Sequence, residues 1–240
     1  MPSLRVAALS DIGRVRRENE DRIILDEAAR IFGVADGVGG LPGGGEAAQL
    51  TADELIASIR AAPAGREPDL VAAVHRVNEQ VIRLGRRLSP TMGIGTTLTF
   101  GQVWAGSFRI AHVGDSRCYG LRGTELLRIT EDHSVENEAR MRRARGEVVY
   151  YHESNRNALT RCIGQPTPPD VDVISLTLEA GDRYLFCTDG VTRMIQDAEL
   201  KNLIGKPGEP AAVLAEIIQL AVRRGGPDNA TGVLVFVDEP

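Results

Sequence analysis

Three times in this chain a short apolar run stops at an aspartate set among glycine or other small residues. The clearest case is Ile31-Phe32-Gly33-Val34-Ala35-Asp36-Gly37-Val38-Gly39-Gly40. Its apolar part has strand length, and Gly37 and Gly39 permit turn geometry that other residues avoid. The same device recurs where Arg109–Val113 runs into Gly114-Asp115-Ser116, and where Arg183–Cys187 runs into Thr188-Asp189-Gly190. A fourth aspartate, Asp228, stands in a turn before the last apolar run, Ala230–Val237. One such aspartate marks no more than a hairpin, because Asp-Gly is a favoured hairpin turn. Four at strand ends predict a shared acidic pocket.

The rest of the chain supplies a frame for that pocket. Leu4–Leu9 and Ile23–Asp26 read as strands. Glu46–Arg60 and Leu70–Leu88 carry apolar residues at helical spacing and predict two helices covering a sheet. The short, turn-punctuated runs from Gly93 to Ile129 predict strands in an antiparallel meander. A helix follows over Val135–Arg145, then an irregular excursion over Val148–Pro169. Strands at Val171–Leu178 and Arg183–Cys187, helices at Asp197–Leu203 and Pro210–Arg223, and a closing strand complete an α+β pattern. One domain spanning 1–240 is expected.

Composition excludes several classes of function. With 240 residues, 42% hydrophobic and 25% charged, the chain has ordinary globular usage. A net charge of −5 gives no basic footprint for nucleic acid. No apolar run reaches bilayer length, and Met1–Ser10 lacks the order of a signal peptide. The three cysteines, Cys118, Cys162 and Cys187, form neither a C-x-x-C pair nor a disulfide framework. The expectation is a soluble, cytoplasmic monomer that engages neither membrane nor nucleic acid.

Gathered carboxylates repel and raise one another's pKa unless a cation intervenes. The poverty of His and Cys favours Mg²⁺ or Mn²⁺ over zinc. Two such ions about 4 Å apart lower the pKa of a bridging water and stabilise in-line displacement at phosphorus. The charged segment Arg14–Asp21 reads either as a solvated connection between edge strands or as a source of Glu20 and Asp21 for the acidic set and of an arginine for an incoming anion. Ladder pairing of adjacent strands is expected to bring Glu20 beside Asp36. His75 reads as a helix-surface residue, His112 and His133 as structural histidines, and Arg140, Arg142, Arg143 and Arg145 as a solvated helix face. A rival chemistry lies in Cys187-Thr188-Asp189-Gly190-Val191-Thr192-Arg193, which fits a C-x₅-R phosphate loop. A carboxylate inside that loop repels phosphate, and a thiolate needs an electropositive setting.

Taken together, these motifs resemble a known family. Arg16-Arg17-Glu18-Asn19-Glu20-Asp21, Val34-Ala35-Asp36-Gly37-Val38-Gly39-Gly40, Gly95-Thr96-Thr97, Val113-Gly114-Asp115-Ser116-Arg117, Asp132-His133-Ser134, Thr188-Asp189-Gly190 and Asp228-Asn229 stand in the order seen in PPM/PP2C-type metal-dependent protein serine/threonine phosphatases of the compact bacterial kind. The resemblance runs essentially end to end. It implies a four-layer α-β-β-α sandwich with two central antiparallel sheets and metals at one end of them. It implies Mn²⁺ or Mg²⁺, two ions in the core and a third outside it. Asp36 would bridge the pair, the Gly37 carbonyl would bind one ion, and Asp189 and Asp228 would complete one site. Glu20 and Asp21 would lie near the other ion, Asp21 through water. Asp115 with Asp189 would serve the additional ion, and Arg16, in preference to Arg17, would bind the substrate phosphate.

The resemblance also implies phosphorylated protein substrates of a Ser/Thr kinase, hydrolysed by a metal-bridging water. It further implies a flap over about 134–169 where substrate choice resides. Two departures stand out. Val38 occupies the place where some relatives carry a histidine thought to protonate the leaving group. The segment Leu41–Glu46 is more glycine-rich than usual. A regulatory module that had lost its metals is the alternative, but such a module would replace metal aspartates, and here every expected position is filled.

Overall fold

The structure is a computed structural model that describes residues 2–40, 42–63 and 65–239. Leu41, within the glycine-rich segment, and Met1 and Pro240, at the bounds of the expected domain, lie outside the described residues. One sheet contains β1 (Ser3–Asp11), β10 (Ala230–Glu239), β9 (Arg183–Cys187), β6 (Arg117–Arg122) and β7 (Glu125–Arg128), in that order. The other contains β2 (Asp21–Asp26), β3 (Ile31–Asp36), β4 (Leu98–Trp104), β5 (Ser107–Val113) and β8 (Asp172–Thr177). Every pairing in both sheets is antiparallel.

Strand alternation explains the layers, because successive side chains point to opposite faces. Phe32 and Val34 of β3, Phe108 and Ile110 of β5, Phe186 of β9, and Val233 and Val235 of β10 form a core between the sheets. The opposite faces of β3, β4 and β5 bury Ile31, Ala35, Leu98, Phe100, Ala111 and Val113 under α1 (Gly44–Arg60) and α2 (Leu70–Leu88). On the far side, Leu185, Leu234 and Phe236 pack beneath α5 (Asp197–Ile204) and α6 (Pro210–Arg223). The result is the expected α-β-β-α order.

The meander is split, contrary to expectation. β4 and β5 form a hairpin in one sheet, whereas β6 and β7 form a hairpin in the other. The residues between β5 and β6, Gly114-Asp115-Ser116, carry the chain across the sandwich. Sequence spacing shows hairpins but not which sheet receives them. The excursion after α3 (Val135–Ala144) contains one short 3₁₀ turn, Glu153–Asn155, and is tied down by bridges of Thr96 to Ile163 and of Ser134 to Leu159. His75 is half-buried rather than a plain surface residue, with Nε2 at 3.1 Å from the Pro169 carbonyl.

Candidate metal centre

The strand ends converge as their aspartates require. Because β2 runs antiparallel to β3, the start of one lies beside the finish of the other, and Asp21 stands directly opposite Asp36. This corrects the expected pairing of Glu20 with Asp36. Glu20 precedes the strand, and its carbonyl accepts a hydrogen bond from the Gly37 N–H at 3.2 Å. From the other sheet, the first turn after β9 places Asp189 at the start of the short helix α4 (Asp189–Thr192). The Thr188 hydroxyl donates to Asp21 across the sandwich at 2.9 Å. Asp115 lies in the crossing between β5 and β6, and Asp228 in the turn before β10.

The scaffold around these groups is over-determined. Asp36 is held through its backbone: its N–H donates to Thr97 Oγ1 at 3.0 Å, and its carbonyl accepts from Thr97 N–H and Thr96 Oγ1, each at 2.8 Å. Asn229 staples the Arg14–Asp21 segment, accepting from Glu20 N–H at 2.9 Å and donating to the Ile12 and Glu18 carbonyls. The glycine-rich segment has a steric reason. A Cβ on Gly37 would sit 2.5 Å from the Gly44 backbone, and one on Gly44 would sit 2.7 Å from Glu20 Oε1. Only glycines let the start of α1 approach this closely.

Two guanidinium groups sit on the cluster. Arg16 reaches Asp228 at 2.9 Å and Glu20 at 3.6 Å. Arg17 is exposed. Arg193 pairs with Asp189 and reaches Asp228 at 3.6 Å. In the sequence Arg193 stands out only as the arginine of a C-x₅-R loop. Its i,i+4 spacing from Asp189 was the available signal, obscured because α4 is a single turn. Among the described residues, no three Asp, Glu, His or Cys side chains are gathered round one point.

The arginines do not discharge the cluster. Burial, then repulsion from Asp21, Asp189, Asp115 and Asp228, raises the Asp36 carboxyl well above the usual range. Burial pushes Asp21 and Asp115 each up to about 7, with the Asp189 charge adding to both. Asp189 rises to about 6, again by burial, although Arg193 opposes the shift. Asp189 Oδ1 is buried with no hydrogen-bond partner among the described residues. Buried carboxylates that repel one another and leave an oxygen unpaired fit a hard divalent cation better than any side chain present.

The rival thiol is placed for packing. Cys187 is fully buried, and burial pushes its thiol up to about 12, although Arg117 opposes the shift. A group so protonated is no nucleophile at neutral pH. The histidines are structural as expected. His112 bonds Thr99 and the Glu131 carbonyl, and burial lowers its pKa to about 3. His133 Nδ1 accepts from the Gly114 N–H at 3.1 Å, bracing the residue before Asp115.

Comparison with known proteins places these features in context. A sequence profile described as Protein phosphatase 2C matches residues 17–220. The chain is 35% identical over 239 residues to the serine/threonine protein phosphatase PstP of Mycobacterium tuberculosis, covering 98% of this chain and 45% of that protein. It therefore spans about half the length of that relative. Protein phosphatase PhpP of Streptococcus pneumoniae is 29% identical over 248 residues, covering 98% of both chains. Among solved structures, the catalytic domain of PstP in complex with two manganese ions superposes with a TM-score of 0.81 at 33% identity, covering 98% of this chain and 99% of that one.

Proposed function

The chain belongs to the protein phosphatase 2C family, and from that premise we propose that it is a metal-dependent protein serine/threonine phosphatase acting on phosphoserine and phosphothreonine in proteins. The observation that carries this reading is the convergence of acidic strand ends from both sheets, with Asp21 opposite Asp36, Thr188 of the other sheet donating to Asp21, and Arg193 spanning Asp189 and Asp228. Asp21, Asp36, Asp115 and Asp189 are all held above the ordinary carboxylate range, with one Asp189 oxygen orphaned. Asp36, the Gly37 carbonyl, Asp189 and Asp228 are the groups that would hold two Mn²⁺ or Mg²⁺ ions. Glu20 and Asp21 flank one side, and Asp115 with Asp189 is available to a third ion. Such ions, when bound, supply Lewis-acid polarisation of a phosphoryl oxygen and lower the pKa of the attacking water.

The chain's own residues do the positioning. Thr96 and Thr97 fix the Asp36 backbone, and Thr188 orients Asp21. Arg16, at the rim of the cluster, binds the phosphate dianion through its planar fork. Val38 brings no proton to the leaving oxygen, so no side chain at that position serves as general acid. The catalytic unit is the whole of 1–240, with 134–169 as the flap over which protein substrates of a Ser/Thr kinase are chosen. Absence of a membrane span among the described helices is compatible with an aqueous substrate.

The test is hydrolysis of a phosphothreonine peptide by the purified chain. Turnover is expected to vanish in chelator, return with Mn²⁺ or Mg²⁺, and survive both thiol alkylation and Cys187→Ser. Chelator-resistant, alkylation-sensitive turnover would overturn the metal reading in favour of the thiol.

A further inference from the structure

At the pole of the sandwich opposite the carboxylates lies a cavity of about 720 Å³, within the range of small-molecule sites. It is a groove open to solvent, lined by residues of the β2–β3 turn, the last turn of α1, the α1–α2 connection and the β4–β5 hairpin. Its location follows from strand alternation. The helix-facing side of β4 reads Leu98, Phe100, Gln102, Trp104, so an aliphatic and aromatic layer gives way to an amide and an indole where α1 ends.

Two observations separate this cavity from an ordinary packing gap. Its wall contains Arg30, Arg60 and Arg66 and no acidic residue, in a chain whose net charge is −5. Arg60 is paired with Asp26, but no carboxylate among the described residues forms an ion pair with Arg30 or Arg66. Gln102 is only 3% exposed, and neither its Oε1 nor Nη1 of Arg30 has a hydrogen-bond partner among the described residues. Buried polar atoms left unpaired call for a partner, because burial without one costs the full desolvation of the group. Arg30 and Ala105, at φ 55° and 48°, take their positive φ from the β2–β3 turn and from the two-residue β4–β5 hairpin turn, respectively.

We propose that this cavity is a second ligand site, independent of the metal centre, and that it binds an adenine nucleotide. Each part of that ligand answers a part of the wall. An indole face stacks on a heteroaromatic base. A carboxamide offers a donor and an acceptor side by side, which matches the N6/N7 edge of adenine. Guanidinium groups without carboxylate partners suit a phosphate. The cations disfavour a neutral hydrophobe, and the apolar walls from Ile59 and Ala29 disfavour free inorganic phosphate.

Trp104 is the single tryptophan of the chain, so its emission reports this cavity alone. AMP is titrated into the full chain in excess chelator, which leaves the carboxylate cluster without divalent ions. Tryptophan fluorescence and saturation-transfer NMR on the base protons are read together. Saturable binding is expected, with adenosine and inorganic phosphate each binding at least about tenfold more weakly. Arg66→Ala, at an exposed position, should weaken AMP by about ten- to a hundredfold. Arg30→Gly should do the same while suiting the positive φ of the turn. Gln102→Leu, of similar volume, should equalise AMP with uridine monophosphate. If it fails to fold, the two arginine variants decide alone. No signal in either method at millimolar AMP, equal affinity for adenosine, or indifference to both arginine variants would overturn the proposal. Because the titration contains no divalent ion, its failure would leave the phosphatase reading untouched.

Discussion

Asp36 feels the charge of four other aspartates, and its backbone is held by bonds to Thr96 and Thr97. The two arginines beside it invite opposite expectations. Arg16 lies at the rim and is assigned to substrate phosphate. Arg16→Ala should therefore reduce phosphopeptide turnover about ten- to a hundredfold, chiefly through KM, while Arg17→Ala stays near wild type. A silent Arg16→Ala beside a crippling Arg17→Ala would shift the assignment by one residue. Arg193 shares Asp189 and Asp228 with any incoming ion. Removing a positive charge a few ångströms from a cation site strengthens cation binding, so Arg193→Ala should tighten Mn²⁺ by about fivefold or more, as read by calorimetry. Weaker binding in that variant would mean that Arg193 organises the carboxylates rather than competing for them.

At the scale of elements, the start of α1 and the Asp36-Gly37 turn are fitted to each other through glycine. Gly37→Ala would drive a methyl into the Gly44 backbone at 2.5 Å, where no flexible side chain can yield. A cost of about 1–3 kcal/mol in chemical denaturation is expected, together with weaker metal binding as α1 is pushed from Glu20. Gly45→Ala meets nothing nearer than 3.6 Å and adds helix propensity, so it should be neutral or slightly stabilising. Equal effects of the two substitutions would refute the close-approach account.

Most of this element-level order was legible in the sequence, because period-2 and period-3.6 patterns were clean and each aspartate followed an apolar run. The register of β2 against β3 was not legible. A shift of one residue separates Asp21 from Glu20, and both are acidic, so pattern could not choose between them. Nor could the sequence show the sheet crossing at Asp115, or Arg193 on a helix too short to have a period. The amide and indole at the end of β4 gave no signal either, since Gly101-Gln102 interrupts the apolar run between Phe100 and Val103 and hides the continuity of the strand.

For the molecule as a whole, the cluster couples charge to stability. Asp21 and Asp115 ionise at about 7 and Asp189 at about 6, against roughly 4 for an unfolded carboxyl. The folded state therefore retains protons that the unfolded chain has already released, and stability falls as pH rises through that window. Asp26, Asp172 and Asp182 are shifted the other way by arginine or histidine partners, so their contribution is lost only at lower pH. In chelator, Tm should decline from about pH 5 to about pH 8, and the rise in Tm on adding Mn²⁺ should be larger at the upper end. A metal-free Tm that climbs across this range would show that the cluster is not under repulsive strain.

The proposed chemistry requires these carboxylates to form one cation site centred on Asp36. Calorimetric titration of Mn²⁺ into the chelator-stripped chain, in parallel with Asp36→Asn and Asp115→Ala, tests this directly. Two tight equivalents are expected for the unmodified chain. Both should weaken in Asp36→Asn, whereas Asp115→Ala should keep the tight pair and lose only a weaker outer event. Tight binding that survives Asp36→Asn but disappears in Asp115→Ala would contradict the account.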